Sequence, residues 1–390
     1  MNVLIQLSHP AHFHLYRIVA ENMIADGHHV LLVIKSKDIL EELLQNAGLP
    51  YVNINQHAHR GNKFGILWDM FVREWRIVRL CRKYRIDLLT GSTPEVAHVG
   101  WWLRKWRVNT GEDDADVISV FVKLAKPFVQ SYLAPVVCAM GIIEKRTAHY
   151  PSYHELAYLH PNHFIPCAEV VKRCGIDATK PYFVLRFASL NAHHDIGIRG
   201  INADVAQRLI EILAPHGRIY ITSERPLEPQ FEPYRIRINP LDMHHVMAFS
   251  SLYVGDSQTM AAEAGVLGVP FVRFNDFVGR IGYLRELEDV YRLGTGVHAT
   301  PLSADSRIRR ADGTAQPSGV EALYHTVEQL VAMHEEKRRQ VYASRRQKML
   351  AEKIDYAKFL TWFIENYPTS EEQTLAVNQL NDANFWTQFK

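Results

Sequence analysis

Short β-branched runs alternate with helix-spaced segments twice along this chain, and that alternation restricts it to an α/β architecture with parallel strands. Val3–Leu7 is an apolar run that ends at the turn-prone Ser8-His9-Pro10. Arg17–Ala25 then has helical spacing through Ile18, Val19, Met23 and Ile24, and Gly27 stops it. His29–Ile34 reads as a second strand, Asp38–Asn46 as a helix closed by Gly48 and Pro50, and Tyr51–Ile54 as a third strand. Ile86–Thr90 continues the sheet and ends at Gly91-Ser92-Thr93-Pro94. From Tyr182 the grammar repeats. Strands are expected at Tyr182–Phe187, Arg218–Thr222, Leu252–Gly255 and Phe271–Phe274, with helices at Asn202–Leu213, Pro240–Ser250 and Met260–Gly265.

This pattern predicts two doubly wound, Rossmann-like parallel-sheet domains facing a central cleft, with ligands beyond the carboxyl ends of the strands. The expected boundaries are an N-terminal domain over 1–165, a linker over 166–180, a C-terminal domain over 181–350, and a C-terminal helix and tail over 351–390 that pack back on the body. Ile354, Ala357, Leu360, Phe363 and Ile364 form the apolar stripe of that last helix. The polar residues after Pro368 are expected to fray. Lys337, Arg338, Arg339, Arg345, Arg346 and Lys348 read as a solvated helix face.

Composition excludes several classes. The 390 residues are 47% hydrophobic and 22% charged, which rules out a disordered or disulfide-stapled chain. A formal net charge of +2 gives no global field for nucleic acid. Cys81, Cys138, Cys167 and Cys174 fit neither an oxidising framework nor a zinc spacing. The opening MNVLIQLSHP lacks a basic leader and a cleavage site and reads as a first strand. The most apolar window, Val117–Ile143, is interrupted by Lys123, Lys126 and two prolines and fails as a membrane span. A cytoplasmic protein is expected.

The most informative segment is Val254–Pro270. A strand ends at Gly255, and small polar residues open a helix at Ser257-Gln258-Thr259. First-turn N–H groups and the helix dipole make such an end a ready diphosphate site. Thr259 and Glu263 share one helix face, and a carboxylate there can accept both hydroxyls of a ribose. The plainer reading is an N-cap at Ser257 or Asp256 followed by a surface glutamate.

That segment resembles the donor-sugar signature of GT-B glycosyltransferases and of the related non-hydrolysing UDP-sugar 2-epimerases. Leu7–His14, Ala25–Val30, Tyr150–Pro161 and Leu185–Asp195 resemble a MurG-like family of GT-B proteins. Each motif is weak alone, but their order from residue 7 to about 295 is specific for the fold and not for the reaction. The resemblance implies a uridine-type nucleotide sugar as substrate, no cofactor and no required metal. It makes the N-terminal domain the acceptor side and the C-terminal domain the donor side.

Other candidates follow from position. Arg186, near the end of its strand, can hold a donor diphosphate as a fork, or form a surface ion pair. His194 and Asp195 on the next loop make a base or phosphate ligand, or a simple turn. His9, His12 and His14 follow the first strand. His12 is the candidate acceptor base and His9 and His14 are acceptor-side contacts, with a metal site or structural histidines as alternatives. Ser92 and Thr93 can wrap a hydroxyl or phosphate, and Gly111-Glu112-Asp113-Asp114 supplies a carboxylate or an acidic turn. His28–His29, His244–His245 and His160/His163 read as helix-end or packing residues. Val72–Arg107 carries nine basic and three acidic residues with Trp75, Tyr84, Trp101, Trp102 and Trp106 interleaved. With a lipid-linked acceptor, this region 72–107 becomes a candidate peripheral contact at the cytoplasmic membrane face; otherwise it is a helix with a charged outer side and buried Trp.

Three functions are compatible. The first is a metal-independent glycosyltransferase of hexosyl or N-acetylhexosaminyl type, serving surface polysaccharide or glycoconjugate biosynthesis. The second is a UDP-sugar 2-epimerase, although Gly91-Ser92-Thr93 lacks the carboxylate usual in that family. The third is a non-catalytic nucleotide-sugar-binding protein.

Overall fold

The computed structural model describes residues 1–35, 39–55, 63–188, 199–303, 305–306 and 308–390. The chain divides into two compact units, Met1–His163 with Lys353–Lys390, and Phe164–Glu352.

The first unit alternates β1 (Asn2–Leu7), α1 (Pro10–Ala25), β2 (His29–Lys35), α2 (Leu40–Asn46), β3 (Tyr51–Asn55), α3 (Lys63–Lys83), β4 (Leu88–Gly91), α4 (Pro94–Trp102), β5 (Trp106–Thr110), α5 (Ser119–Ala125), β6 (Ser131–Pro135) and β7 (Thr147–Tyr150). All seven strands run parallel in the order β3-β2-β1-β4-β5-β6-β7. Val3, Leu4, Ile5 and Leu7 are all buried, as a strand covered on both faces requires. Helix α1 begins at Pro10, one turn and more before the expected Arg17. Pro10 has no N–H to lose at a first-turn position, and Nδ1 of the capping His9 accepts the Ala11 N–H at 3.2 Å. His12 and His14 therefore stand on the helix and not on a loop.

The second unit contains α6 (Ala168–Arg173), which lies inside the span 166–180, then β8 (Tyr182–Phe187), α7 (Ala203–Leu213), β9 (Arg218–Ser223), α8 (Met243–Phe249), β10 (Leu252–Gly255), α9 (Gln258–Leu267), β11 (Phe271–Phe274), α10 (Gly282–Arg285), β12 (Gly294–Val297), α11 (Val320–Ala332) and α12 (Glu335–Glu352). Its five strands are also parallel, in the order β12-β11-β10-β8-β9. Leu185, Phe187, Leu209, Leu213, Ile221, Val254 and Val272 lie in one apolar core cluster of this unit.

The chain then returns to the first unit. Helix α13 (Tyr356–Glu365) packs on α1, where Nδ2 of Asn22 donates to Thr361 Oγ1 at 3.4 Å, and its Leu360, Phe363 and Ile364 are buried. The expectation of a frayed end is corrected. Residues after Pro368 form α14 (Thr369–Leu380) and a 3-10 turn over Ala383–Phe389. Phe385 packs on Trp362, and Trp386 and Phe389 pack on Phe359, with ring centroids 5.6, 5.4 and 5.3 Å apart. The polar Ser370 and Thr374 are buried because their hydroxyls donate to the Phe363 and Ser370 carbonyls. Among the described residues, no helix is long and apolar enough to cross a membrane.

Candidate functional site

In the second unit the strand order reverses between β8 and β10, with β9 on the far side of β8. Such a reversal opens a crevice at the carboxyl ends of the two strands. Arg186 and Gly255 are register partners there. Gly255 is required by close approach, since a Cβ would sit 2.4 Å from the Tyr253 hydroxyl and 2.9 Å from Cβ of Arg186. Ser257 then caps α9, its Oγ accepting the Met260 N–H at 3.4 Å. The N–H groups of Gln258 and Thr259 donate to no acceptor among the described residues. Ser257, Gln258 and Thr259 are half-buried, and Oε1 of Gln258 is a buried acceptor with no donor among the described residues. The segment therefore presents open donors at the positive end of a ten-residue helix.

Arg186 is held by its own unit. Nη1 donates to Thr222 Oγ1 at 2.8 Å and Nη2 pairs with Glu224, while Nε is buried with no acceptor among the described residues. Glu263 is buried to 4% exposure, and its Oε1 lies 2.9 Å from Nε2 of His244, itself 7% exposed. It is not a surface glutamate. Sequence reasoning passed over His244 as a helix-end or packing residue. The available signal was a carboxylate among Ala261, Ala262 and Ala264, a setting that demands a polar partner. His194 and Asp195 lie outside the described residues.

In the first unit the order reverses between β1 and β4. The residues at that switch point include His9, His12, Ser92 and Thr93. Nδ1 of His12 accepts the Ser8 N–H at 3.3 Å, and the His9 and His12 rings meet edge to face at 6.1 Å. Ser92 Oγ and Thr110 Oγ1 are 3.2 Å apart, and Tyr16 joins Thr110 and Thr90 at 3.0 Å each. Thr93 is buried, and its hydroxyl donates to Gln6 at 2.8 Å. Gly91, at φ +147°, has no room for a Cβ, which would lie 2.6 Å from the Gln6 carbonyl oxygen. His14 is turned to Tyr158, with ring centroids 5.2 Å apart.

The acidic turn is largely engaged by backbone. Asp114 accepts the Ala139 N–H at 2.9 Å, and Glu112 accepts the His154 N–H at 3.2 Å. Burial pushes the His154 imidazole down to about 3, so this ring is neutral at working pH. Among the described residues no group of three or more His, Cys, Asp or Glu side chains is placed to hold a metal ion.

The basic-aromatic region lies on α3, α4 and the start of β5. Trp68, Phe71, Trp75, Arg79 and Arg82 are exposed along one stripe of α3. The Arg79 guanidinium sits 4.9 Å over the Trp75 ring. Trp101, Trp102 and Trp106 are exposed as well, with Arg104 beside them. The reading of these Trp as buried is thereby corrected: the α3 stripe faces away from the sheet.

No sequence-family model and no curated protein matches the chain. Solved structures do. Spinosyn rhamnosyltransferase SpnG, complexed with spinosyn aglycone, matches at a TM-score of 0.59 and 14% identity, over 94% of this chain and all of that one. UDP-GlcNAc 2-epimerase from Neisseria meningitidis, bound to UDP-GlcNAc, matches at 0.63 and 12%, over 93% of this chain and 98% of that one. MnaA of S. aureus, in a structure with UDP, matches at 0.63 and 8%, over 95% of this chain and 98% of that one. With two parallel α/β units and these neighbours, the chain has the GT-B fold.

Proposed function

We propose that the protein is a glycosyltransferase that moves a hexosyl or N-acetylhexosaminyl group from a uridine diphosphate sugar to a saccharide or lipid-linked acceptor. One observation carries this reading. Arg186 and Gly255 are paired at a topological switch point, directly before the open N–H groups of Gln258 and Thr259. Neighbours of the same fold are solved with UDP and with thymidine diphosphate.

In the reaction an acceptor oxygen bonds to the anomeric carbon as the bond from that carbon to the diphosphate oxygen breaks. The acceptor proton passes to a base, assigned to His12, and the leaving charge stays on the diphosphate. Fixed N–H groups of α9 and the Arg186 guanidinium stabilise that charge more in the transition state than in the bound donor. Glu263 accepts the ribose hydroxyls, with Ser257 and Thr259 beside it. His194 and Asp195 are assigned a further catalytic role. Ser92 and the histidines His9 and His14 are assigned to the acceptor. No metal and no cofactor enters the scheme.

The exposed Trp75, Trp101 and Trp102 with Arg79 and Arg104 support peripheral contact with the cytoplasmic membrane face, where such an acceptor is anchored. Serving surface polysaccharide or glycoconjugate synthesis is consistent with that placement.

The test is thermal unfolding with UDP, GDP, CDP and TDP, followed by a donor and acceptor screen. UDP is expected to raise the melting temperature most, because a ligand selective for the folded state stabilises it. No shift with any of the four removes the donor site. Rapid epimer formation from UDP-GlcNAc without acceptor makes the protein an isomerase instead.

A further inference from the structure

Asp256 stands between the Gly255 end of β10 and the Ser257 cap of α9, and it is buried to 2% exposure. Its Oδ1 accepts the Ala188 N–H at 2.6 Å, and its Oδ2 accepts the Ile201 N–H at 3.2 Å. Ala188 directly follows β8, and Ile201 directly precedes the cap of α7. One carboxylate thus holds both ends of the connection between those elements.

Neighbouring groups reinforce the same two ends. Asp276 accepts the Arg199 N–H at 2.9 Å and the Thr300 N–H at 2.7 Å. Arg225 Nη2 donates to the Ile201 carbonyl at 2.6 Å. Nδ2 of Asn275 donates to the Asp256 carbonyl at 2.9 Å, and the Asp256 N–H reaches the Arg186 carbonyl at 3.4 Å. The fold carries this carboxylate at a cost. Burial pushes its pKa up to about 6, against the backbone N–H groups and the charge of Arg225. What only a carboxylate supplies at this point is two acceptor oxygens for two converging N–H donors. An asparagine would offer one acceptor and turn its amide N–H2 toward the other donor.

We propose that Asp256 is a positioning residue, whose carboxylate clasps the two ends of the 188–201 connection and thereby fixes Arg186 against the first turn of α9. The consequence for ligand binding rests on the donor site proposed above; the clasp itself does not. Without it, the β8 end keeps its backbone pairing with β10 but loses the side-chain anchor that holds Ala188 and Ile201 to the start of α9.

The experiment compares wild-type protein with Asp256→Asn. Hydrogen exchange, read by mass spectrometry on the ligand-free full chain, is followed at the Ala188 and Ile201 amides. Exchange there is expected to be at least tenfold faster in the variant, with β11 and the middle of α7 unchanged. Calorimetry with UDP is expected to show at least a fivefold rise in Kd. Equal exchange in the folded variant overturns the clasp. A change in exchange with equal UDP affinity in both proteins overturns the positioning role and leaves the clasp. Faster exchange together with a wild-type protein that binds no nucleotide sinks the donor reading alone. If Asp256→Asn does not fold, Asp256→Glu, which keeps the charge but displaces both oxygens, carries the same expectations.

Discussion

Nε2 of His244 lies 2.9 Å from Oε1 of Glu263, and both side chains are buried inside the second unit. The pair fixes the orientation of a carboxylate one helical turn from Thr259. If Glu263 receives a ribose, Glu263→Ala lowers UDP affinity by about 1–3 kcal/mol, the scale of hydrogen bonds to a charged group. Calorimetry on the folded variant checks this, and an unchanged Kd removes the ribose role.

Arg186 gives a prediction with its own control. Its guanidinium is already oriented by Thr222 and Glu224. Arg186→Ala is expected to weaken UDP binding by roughly 1.5–3 kcal/mol while leaving the affinity for uridine unchanged. Arg186→Lys restores only part of the loss, because the fork is absent. Equal weakening of uridine and UDP binding would place Arg186 away from the diphosphate.

His12 separates chemistry from binding. His12→Ala is expected to lower turnover with saturating donor and acceptor by about 100-fold or more, the usual contribution of general acid–base catalysis, with the donor Kd unchanged. Parallel losses in turnover and donor affinity would make His12 a donor contact or a structural residue.

His154 predicts acid sensitivity of the first unit. Its folded-state pKa of about 3 lies below the unfolded 6.5. Above pH 6.5 the ring is neutral in both states and its contribution is intact. Below that, the unfolded chain binds a proton that the folded chain refuses, so stability falls by about 1.4 kcal/mol per pH unit until the folded pKa is reached. Between pH 6.5 and 5 the cost is about 2 kcal/mol. Denaturant unfolding at pH 7 and pH 5 should show a smaller drop for His154→Gln than for the natural sequence. Identical drops would show that His154 protonates in the folded state.

The exposed aromatic stripe is testable without any substrate. Vesicles rich in anionic lipid are expected to sediment the protein, and salt should weaken the association. Replacing Trp75, Trp101 and Trp102 together with Ser should cut binding at least tenfold. Equal sedimentation of the variant would exclude these indoles from the contact.

Much of the architecture was readable because strands covered on both faces must be continuous apolar runs, as at Val3–Leu7 and Tyr182–Phe187. Strand ends then located Arg186 and Ser257, since a residue at the end of a parallel strand has few places to go. The start of α1 was hidden because His12 and His14 interrupt the apolar period that Phe13, Leu15 and Tyr16 carry. The Glu263–His244 pair was hidden for another reason. It joins two helices, and spacing along one helix does not report on its neighbour. Asp256 read as a cap candidate, while its partners Ala188 and Ile201 are backbone groups that no residue type announces. The C-terminal segment misled through composition, because three aromatic side chains outweigh fourteen polar neighbours once Phe359 and Trp362 are there to receive them.

The return of the chain at Lys353 has a consequence for biosynthesis. As the polypeptide leaves the ribosome, the first 163 residues emerge without α13, so the apolar side of α1 that it covers stays open. The second unit is one uninterrupted stretch of chain and can condense while its predecessor waits. The earliest residues made are therefore among the last to be sealed. A fragment ended at residue 163 should be insoluble, whereas the 164–352 segment is the natural piece to express alone.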